Sequence, residues 1–435
     1  MDVFLQRMEA LLKDEFPEFL KFYNSPDSYR GIRLNTLKCS EDKLRAALPF
    51  ELRKTPFCEQ GFYLPDDVKS VGNHPMHHAG AFYVQEPSAT SAVTMLDVKK
   101  GDRVLDLCAA PGGKSTQIAS ALQNTGLLLC NEIVRNRAII LLSNIERMGV
   151  RNAVVTNASP DVLCKRLEGF FDKVLVDAPC SGEGMFRKND AEREWSVEHV
   201  KSCAERQLRI LNSAKDTLRQ GGELVYSTCT FSREENEGVI ERFISENPDF
   251  EFVDSKVSFG RQAMGYARRI FPMDGGEGHF AVKLRRKSEV MPSFTLDTVR
   301  TKIDKDVFEF YDSVFVDRVF GERLRIEGGK IYALPENVPS LGGVSVLRRG
   351  VLLGEIKKNR IEPHHCAFMA AKPSDCARSV ELGDEMIKKF LHGEEVSARS
   401  EKGFCAVCYN GITTGFGKAS GGTVKNKYPK GLRTL

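Results

Sequence analysis

Two short segments in the middle of the chain each place a cysteine where a strand is expected to end. The first reads Asp177-Ala-Pro-Cys180, with a carboxylate three residues before its cysteine, and the second reads Ser227-Thr-Cys229. Neither segment contains a redox motif. Two thiols at one site suit a reaction in which one thiolate attacks a ring and a second group helps it leave. Ordinary buried cysteines are the alternative, and the flanking Asp177 and Pro179 argue against it for the pair.

A glycine-rich turn precedes these segments, between an expected strand and an expected helix. Its residues are Cys108, Ala109, Ala110, Pro111, Gly112, Gly113 and Lys114. Small residues and paired glycines let a ligand approach the backbone at the carboxyl end of a strand. A nucleotide loop of the type Gly-x-x-x-x-Gly-Lys would need glycine at position 108, and the dinucleotide pattern Gly-x-Gly-x-x-Gly is also missing.

Acidic residues around this turn indicate which ligand it holds. Asp106 stands at the end of the preceding strand, and Glu132 follows the next expected strand, twenty positions after Gly112. A carboxylate at the place of Glu132 accepts hydrogen bonds from a ribose diol. An uncharged tight turn with acids around it suits a cationic adenosine cofactor without phosphates, so we predict S-adenosylmethionine. A glycine-rich turn without a ligand is the alternative.

Together these segments resemble the RNA cytosine-C5 methyltransferases of the NOL1/NOP2/Sun family, over about residues 29 to 284. The resemblance is carried by Phe82-Tyr-Val-Gln-Glu-Pro-Ser88, Ala109-Ala-Pro-Gly-Gly-Lys114, Asp177-Ala-Pro-Cys-Ser-Gly-Glu-Gly184, Tyr226-Ser-Thr-Cys-Thr-Phe231 with Glu234–Glu237, and Arg269–His279. The C-terminal Lys425-Asn-Lys-Tyr-Pro-Lys-Gly-Leu-Arg433 is similar to the end of bacterial members of the RsmF type, which modify small-subunit ribosomal RNA.

The resemblance implies a role for each reacting group. Cys229 would be the nucleophile that adds to carbon 6 of cytosine, Asp177 would support the N3 edge of the ring, and Cys180 would assist release. Lys114 would reach back towards the catalytic carboxylates or the RNA. DNA cytosine-C5 methyltransferases use a Pro-Cys nucleophile, which here would be Cys180, so a DNA enzyme is one alternative. A non-catalytic RNA-binding factor of ribosome assembly is the other.

The resemblance also places the cofactor. S-adenosylmethionine would lie against residues 108–114, with the carboxylate of Glu132 on its ribose and Asp177 nearby. The family often carries an aspartate on the adenine side, whereas this chain reads Thr156-Asn-Ala-Ser-Pro160 there. Ser159 stands nearest that place, and its hydroxyl would bond the adenine amine.

Strand and helix patterns alternate from about residue 76 to residue 286. Near-continuous apolar runs such as Lys173-Val-Leu-Val-Asp177 and Gly222-Glu-Leu-Val-Tyr226 predict a parallel sheet covered by helices on both faces. The predicted fold class is therefore α/β, a doubly wound, Rossmann-like core, as the resemblance to class I S-adenosylmethionine methyltransferases also implies. A small α+β domain that contacts RNA precedes it, over residues 1–75. A PUA-like, β-rich RNA-binding region, implied by the resemblance, follows a charged linker and covers residues 293–435.

Two groups of residues are candidates for RNA contacts. Arg33, Asn35 and Lys38 match a family motif near the RNA path, although the alternation of their strand also fits a merely solvated face. At the C-terminus no acidic residue follows Glu401, and the basic residues interleave with aromatic rings, which suits a phosphate backbone. These basic residues are Lys425, Lys427, Lys430 and Arg433. A solvated basic tail is the alternative.

Composition limits the remaining possibilities. The chain of 435 residues carries a net charge of +4, and no apolar stretch reaches the roughly 18 residues that cross a bilayer. Its N-terminus lacks the pattern of a signal peptide, so we predict a cytoplasmic protein whose twelve cysteines are mostly reduced. Cys405-Ala-Val-Cys408 has no second cysteine pair to complete a metal site. We therefore expect a monomer without metal or membrane partners. The resemblance of the C-terminal segment to the RsmF type implies that the protein acts on 16S ribosomal RNA rather than transfer RNA.

Overall fold

Helices and strands alternate through the middle of the chain in the computed structural model, which describes residues 3–68, 70–188, 192, 194–298, 302–358 and 360–434. The helices are α1 Val3–Leu12, α2 Phe16–Tyr23, α3 Glu41–Ala47, α4 Pro75–His78, α5 Ser91–Leu96, α6 Gly113–Leu122, α7 Arg135–Arg147, α8 Pro160–Cys164, α9 Val197–Ala214, α10 Glu237–Glu246, α11 Lys305–Val314, α12 His365–Ala370 and α13 Asp384–His392.

The strands fall into four sheets. In chain order they are β1 Gly31–Leu34, β2 Arg53–Lys54, β3 Gly61–Tyr63, β4 Phe82–Val84, β5 Arg103–Asp106, β6 Leu127–Asn131, β7 Ala153–Asn157, β8 Phe171–Asp177, β9 Leu218–Thr228, β10 Phe250–Phe252, β11 Arg261–Gln262, β12 Arg268–Ile270, β13 His279–Arg286, β14 Leu324–Glu327, β15 Lys330–Ala333, β16 Ser345–Arg349, β17 Val351–Lys357, β18 Arg360–Pro363, β19 Ser379–Glu381, β20 Val396–Ser397, β21 Gly403–Tyr409, β22 Ile412–Ser420 and β23 Thr423–Asn426.

The central sheet has the order β11-β12-β13-β9-β8-β5-β6-β7-β16, with β10 paired to β13. Its middle strands β9, β8, β5, β6 and β7 are parallel, whereas β13 and β16 run antiparallel to their neighbours. Successive residues of β5 alternate between two cores: Val104 packs in the core on one face of the sheet and Leu105 in the core on the other. Apolar side chains on both faces explain why these strands read as continuous apolar runs.

The chain leaves β5 towards β6 on one side, and β8 later joins β5 on the other side. Such a reversal of strand order opens a crevice outside the carboxyl ends of the strands, where open α/β sheets bind their ligands. Both cysteine segments and the glycine-rich turn follow strands that end at this edge.

The N-terminal and C-terminal units pack against each other. The N-terminal sheet has the order β2-β3-β1-β4, and the C-terminal sheets have the orders β14-β15-β17-β18 and β19-β21-β22-β23-β20. Ile32 and Phe62 of the first sheet share one core with Phe390, Val407 and Tyr428 of the last third of the chain. The two ends of the chain therefore form one continuous apolar interior.

One strand from the last third of the chain completes the central sheet. β16 pairs antiparallel with β7, with Ser345 opposite Asn157 and Arg349 opposite Val154. The predicted division near residue 290 therefore does not coincide with the edge of this sheet.

In the described ranges, the helices are all too short or too polar to cross a membrane.

Candidate active site

The two cysteine segments meet because their strands are parallel neighbours. Asp177, the last residue of β8, lies opposite Ser227 of β9, so Cys180 and Cys229 leave the sheet side by side. Their Sγ atoms are 3.2 Å apart. Hydrogen bonding to Cys229 and burial raise the pKa of Cys180 well above its ordinary value. Cys180 is therefore held as a thiol, able to donate a proton.

Asp177 lies at the centre of a charged group beside the cysteines. Lys114 donates to its Oδ2 atom at 2.8 Å, and the hydroxyl of Ser227 donates to its Oδ1 atom at 2.8 Å. Burial alone would raise the pKa of Asp177, but Lys114 and His279 lower it below its ordinary value. The carboxyl is therefore ionised at neutral pH and fixed in orientation.

His279 is a member of this group that the sequence analysis passed over. Its Nε2 atom lies 4.0 Å from Oδ1 of Asp177 in a buried position. Burial and the charge of Lys114 lower the pKa of His279 to about 3, so its ring is neutral. It is the first residue of β13 and the last residue of the family segment 269–279, and its place in that segment is the signal that could have assigned it to the site.

The glycine-rich turn connects β5 to α6. Gly112 has a φ of +110°, in the region that favours glycine, and an added Cβ would lie 3.2 Å from Cδ1 of Leu141. Behind the turn, Ser115 donates to Asp106 at 2.6 Å, and burial raises the pKa of Asp106 to about 7. Arg137, on α7, donates to the carbonyl of Ala110 at 3.0 Å.

A cavity of about 700 Å³ joins this turn to the two cysteines. The predicted residues among those that line it are Cys108, Ala110, Glu132, Ser159, Asp177, Cys180 and Cys229. The other predicted loop residues, Ala109, Pro111, Gly112, Gly113 and Lys114, form the turn beside it. The cavity has the size of a site for one cofactor and part of a substrate.

The donor set of the cavity fits S-adenosylmethionine. One carboxylate oxygen of Glu132 accepts a hydrogen bond from the backbone N–H of Val134 at 2.9 Å. The second oxygen lies 3.6 Å from a guanidinium nitrogen of Arg137. Ile133 and Ile210 supply apolar walls, and the acidic Asp177 lies at the end near the cysteines. Carboxylates with apolar walls suit a cationic cofactor that has a ribose and a flat ring system. Residue by residue, these contacts remain a prediction.

Several lining residues were missed. Ile133 and Val134 follow Glu132 directly and are 59% and 47% exposed, an apolar pair at a loop that could have been noticed. Arg206, Arg209 and Ile210 come from α9, which lies between the two cysteine segments along the chain. Their helix carries no local signal of a site.

The structure corrects the prediction that Arg33 and Asn35 contact RNA. Arg33 is 1% exposed; it bonds Gln85 and donates at 2.7 Å each to the carbonyl of Gly113 and the hydroxyl of Thr116. Asn35 is fully buried and donates to the carbonyls of Gly80 and Met148. Both side chains brace the cofactor turn and the core instead, since other segments cover their strand.

Lys38 is likewise committed within the protein. Its amine donates to the carbonyls of Met369 at 2.8 Å and Thr413 at 3.0 Å, which belong to the C-terminal units. Burial and the charge of Arg147 lower its pKa to about 7. The prediction that Lys38 contacts RNA is therefore wrong: its amine joins the N-terminal unit to the C-terminal units instead.

The predicted basic tail is partly structural. Lys425 lies in β23, Tyr428 packs on Phe390 and His365, and Arg433 contacts the carbonyl of Tyr428. Lys425 and Lys430 are exposed, whereas Lys427 is half-buried. The two exposed positions remain available for RNA contacts.

A group of side chains with metal-ligating atoms joins α7 to the C-terminal units. Oxygen, nitrogen and sulfur atoms of Glu146, His364 and Cys366 lie within 4.8 Å of one another. The guanidinium of Arg348 bonds Glu146 at 2.6 Å and contacts the sulfur of Cys366 at 3.4 Å. With this positive charge among them, the group serves as an ionic joint.

Four family models match successive parts of the chain. They are the N-terminal domain of 16S rRNA methyltransferase RsmF over residues 2–87, 16S rRNA methyltransferase RsmB/F over residues 93–285, the RsmF first C-terminal domain over residues 309–370, and the methyltransferase RsmF PUA domain over residues 377–434.

Relatives that match along almost the whole chain carry the name ribosomal RNA small subunit methyltransferase F. One from Vibrio cholerae is 33% identical over 458 residues, which are 99% of this chain and 96% of the relative. One from Klebsiella pneumoniae is 33% identical over 462 residues, with the same shares.

Solved structures agree on the fold. A methyltransferase homolog from Pyrococcus horikoshii has a TM-score of 0.57 and 28% identity, covering 66% of this chain and all of that chain. NSun6 from the same organism, solved with SFG, has a TM-score of 0.59 and 24% identity, covering 66% of this chain and 98% of its own. Together with the family models, these similarities confirm the predicted fold class of a class I methyltransferase core with an N-terminal domain and a PUA domain.

Proposed function

The chain belongs to the RsmF family of small-subunit ribosomal RNA methyltransferases, and on that premise we propose that it methylates carbon 5 of a cytosine in 16S ribosomal RNA through a covalent adduct on Cys229. The membership confirms the predicted class of enzyme, an RNA methyltransferase that uses S-adenosylmethionine. It removes the two alternatives, the DNA enzyme and the non-catalytic assembly factor. The observation that carries the mechanism is the 3.2 Å contact between Cys180 and Cys229 beside the ionised Asp177.

The reaction needs carbon 5 of the ring to become nucleophilic. The thiolate of Cys229 adds to carbon 6, one S–C bond forms, and the electron pair of the C5–C6 double bond moves to carbon 5. S-adenosylmethionine bound in the cavity supplies the methyl group. The proton on carbon 5 then leaves to a base beside the ring, the double bond re-forms, and the S–C bond breaks to return the Cys229 thiolate. Cys180, whose sulfur contacts that of Cys229, assists this release.

Asp177 and Lys114 handle the charge that develops on the ring during this addition. A carboxylate held by Lys114 and Ser227 is oriented to accept a hydrogen bond from the amino group of the cytosine, while Lys114 brings a positive charge and a donor to the N3 edge. The ammonium group of Lys114 stays protonated beside it: burial alone would lower the pKa of Lys114, but the pair with Asp177 raises it above its ordinary value. Oriented groups of this kind require no reorganisation when the ring is attacked.

A trapping experiment tests the two cysteine roles. Cys180→Ala incubated with total RNA and S-adenosylmethionine should accumulate a protein–RNA adduct that survives denaturant, because release is impaired while attack is not. Cys229→Ala should abolish methyl transfer and form no adduct, with cofactor binding unchanged. Methylation by the Cys229→Ala protein would show that Cys229 is not the nucleophile. Sequencing of the trapped RNA identifies the substrate.

We also propose that the exposed lysines of the C-terminal sheet contact RNA phosphates. Removal of one phosphate contact should reduce the slope of log affinity against log salt by about 1. Lys425→Ala with Lys430→Ala should therefore lower this slope by about 2, measured by RNA titrations at several salt concentrations. The charge-matched control Lys21→Ala with Lys287→Ala, at exposed positions elsewhere, should change it less. Equal slopes for the two double variants would remove these lysines from the RNA footprint.

Location and assembly form part of the same proposal. We expect the enzyme to act in the cytoplasm, where its ribosomal substrate is, and the described cysteines are all unpaired in the structure, as a reducing compartment requires. The proposed chemistry uses residues of one chain and requires neither a metal ion nor a second copy.

A further inference from the structure

Two buried glutamates connect the two cysteine loops. We propose that Glu183 and Glu235 are positioning residues: each is carried by one loop and holds the other, and together they set the distance between Cys180 and Cys229. The inference rests on the covalent mechanism proposed above. Neither glutamate contacts the reacting atoms.

Glu183 comes three residues after Cys180 and binds the loop of Cys229. Its carboxylate accepts from the hydroxyl of Thr230 at 2.8 Å, the backbone N–H of Phe231 at 2.9 Å and the hydroxyl of Ser232 at 2.6 Å. The indole N–H of Trp195 donates to it at 2.9 Å. The three residues that directly follow Cys229 are thus fixed by one side chain of the opposite loop.

Glu235 comes six residues after Cys229 and binds the loop of Cys180. Its carboxylate accepts from the backbone N–H of Ser181 at 3.0 Å and from the Ser181 hydroxyl. The amide of Gln207, on α9, donates to it at 2.7 Å and to the carbonyl of Pro179 at 3.1 Å. The residues on both sides of Cys180 are thus held by Glu235 or by its partner.

One direct bond and one close contact join the loops as well. The backbone N–H of Gly184 donates to the carbonyl of Cys229 at 2.9 Å, and the hydroxyl oxygens of Ser181 and Thr230, whose hydrogens go to Glu235 and Glu183, are 2.9 Å apart. Gly184 tolerates no side chain, since an added Cβ would lie 3.0 Å from that carbonyl. The two loops therefore contact each other directly as well as through the two glutamates.

The chemistry of the donors explains why both positions are glutamate. Glu183 receives four donors and Glu235 receives three, whereas a glutamine would turn one acceptor oxygen into an NH₂ group that faces other donors. Burying two neighbouring carboxylates costs free energy, and burial together with the charge of Glu183 raises the pKa of Glu235 to about 6. Apolar side chains would fill the same space without this cost. Their presence at the two catalytic loops points to a requirement on geometry.

The two glutamates should affect different steps. Displacing Cys180 by loosening the hold of Glu235 should impair release, whereas displacing Cys229 by loosening the hold of Glu183 should impair attack. A misplacement of about 1 Å costs on the order of 100-fold in rate. A role in stability alone would not separate the two steps.

Single-turnover assays with labelled RNA and S-adenosylmethionine test this division. Glu235→Gln should build up the denaturant-resistant adduct and release product at least about tenfold more slowly. Glu183→Gln should form methylated product at least about tenfold more slowly without adduct build-up, and should slow adduct formation when combined with Cys180→Ala. Both should bind S-adenosylmethionine within about twofold of wild type, as should the exposed control Glu241→Gln, which should also keep wild-type kinetics.

If a glutamine variant does not fold, a milder variant takes its place, and thermal unfolding of each protein shows whether it is folded. Ser181→Ala keeps the backbone bond to Glu235 and should show a weaker form of the Glu235→Gln result, and Ser232→Ala should do the same for Glu183→Gln. The proposal is overturned if folded Glu235→Gln loses activity without adduct, or if both glutamine variants match Glu241→Gln. Wild type, Cys180→Ala and Cys229→Ala run alongside, so that methylation by Cys229→Ala would instead overturn the covalent mechanism itself.

Discussion

At the scale of single residues, the pair formed by Lys114 and Asp177 decides the charge beside the two cysteines. Asp177 is surrounded by the neutral ring of His279, the hydroxyl of Ser227 and the ammonium of Lys114, 2.8 Å away. Of these, only Lys114 brings a full positive charge. The ionised state of Asp177 therefore depends most on a residue of the glycine-rich turn.

Replacing this lysine tests the dependence. In Lys114→Met, the largest of the effects that oppose burial is removed, so the pKa of Asp177 should rise from its present position below the ordinary value. The methylation rate should fall about 100-fold, the cost of removing one donor at a developing charge. The carbon-13 shift of the Asp177 carboxyl, assigned with Asp177→Asn, measures the pKa directly. An unchanged titration would show that Ser227 and His279 suffice to keep the carboxylate ionised.

At the scale of elements, the turn between β5 and α6 depends on one backbone conformation. Gly112 adopts a φ of +110°, and the side chains of Leu141 and Asn144 lie directly above it. A residue with a Cβ there meets both backbone strain and contact with α7. The start of α6 is therefore fixed by a glycine and by the helix that packs over it.

Gly112→Ala separates these effects when it is compared with Gly101→Ala. Gly101 has a φ of +90° and open space around it, so both substitutions should lower the free energy of unfolding by about 1–2 kcal/mol. Only Gly112→Ala should weaken binding of S-adenosylmethionine, because the turn must shift to relieve its contacts with α7. If that shift costs the cofactor about 1.4 kcal/mol, the affinity falls about tenfold. Calorimetric titration provides the affinities and chemical denaturation the stabilities. Equal affinities would place the cofactor away from this turn.

The sequence predicted those parts of the site that depend on local spacing. Asp177, Cys180 and Cys229 stand at or just beyond strand ends, and parallel neighbouring strands bring such ends together. The RNA contact of Arg33 was predicted from a match to a family motif, and neither that match nor the strand alternation says what covers the strand; here the helix that begins at Gly113 covers Arg33. The pairing of β16 with β7 joins residues almost 200 positions apart, for which no local pattern exists.

At the scale of the whole molecule, the chain closes on itself. Lys38 of the N-terminal unit reaches the carbonyls of Met369 and Thr413, and the two ends share one apolar core. Arg348 adds an ion pair to Glu146 of α7. The N-terminal and C-terminal units are thereby joined to each other as well as to the methyltransferase core.

The amine of Lys38 makes this closure dependent on pH. Its pKa is about 7 in the folded protein but near 10.5 in the unfolded chain, so between these values the unfolded state binds more protons. Raising the pH from 7 to 10 should therefore stabilise the folded wild type relative to Lys38→Met, by at most about 1.4 kcal/mol per pH unit. Urea unfolding at several pH values measures the difference. The exposed Lys43→Met should show no such trend, and an equal trend in both would assign the effect to other groups.

The strand that the C-terminal region lends to the central sheet has a consequence for fragments of this protein. Without β16, the row of N–H and C=O groups along β7 would face water as an open edge, between apolar residues such as Val154 and Val155. Open edges of this kind pair with strands of other molecules and seed aggregates. A fragment cut near residue 290 would keep both cysteines and Asp177 and still tend to self-associate. The last third of the chain therefore also protects the first two thirds from aggregation, by covering the edge of β7.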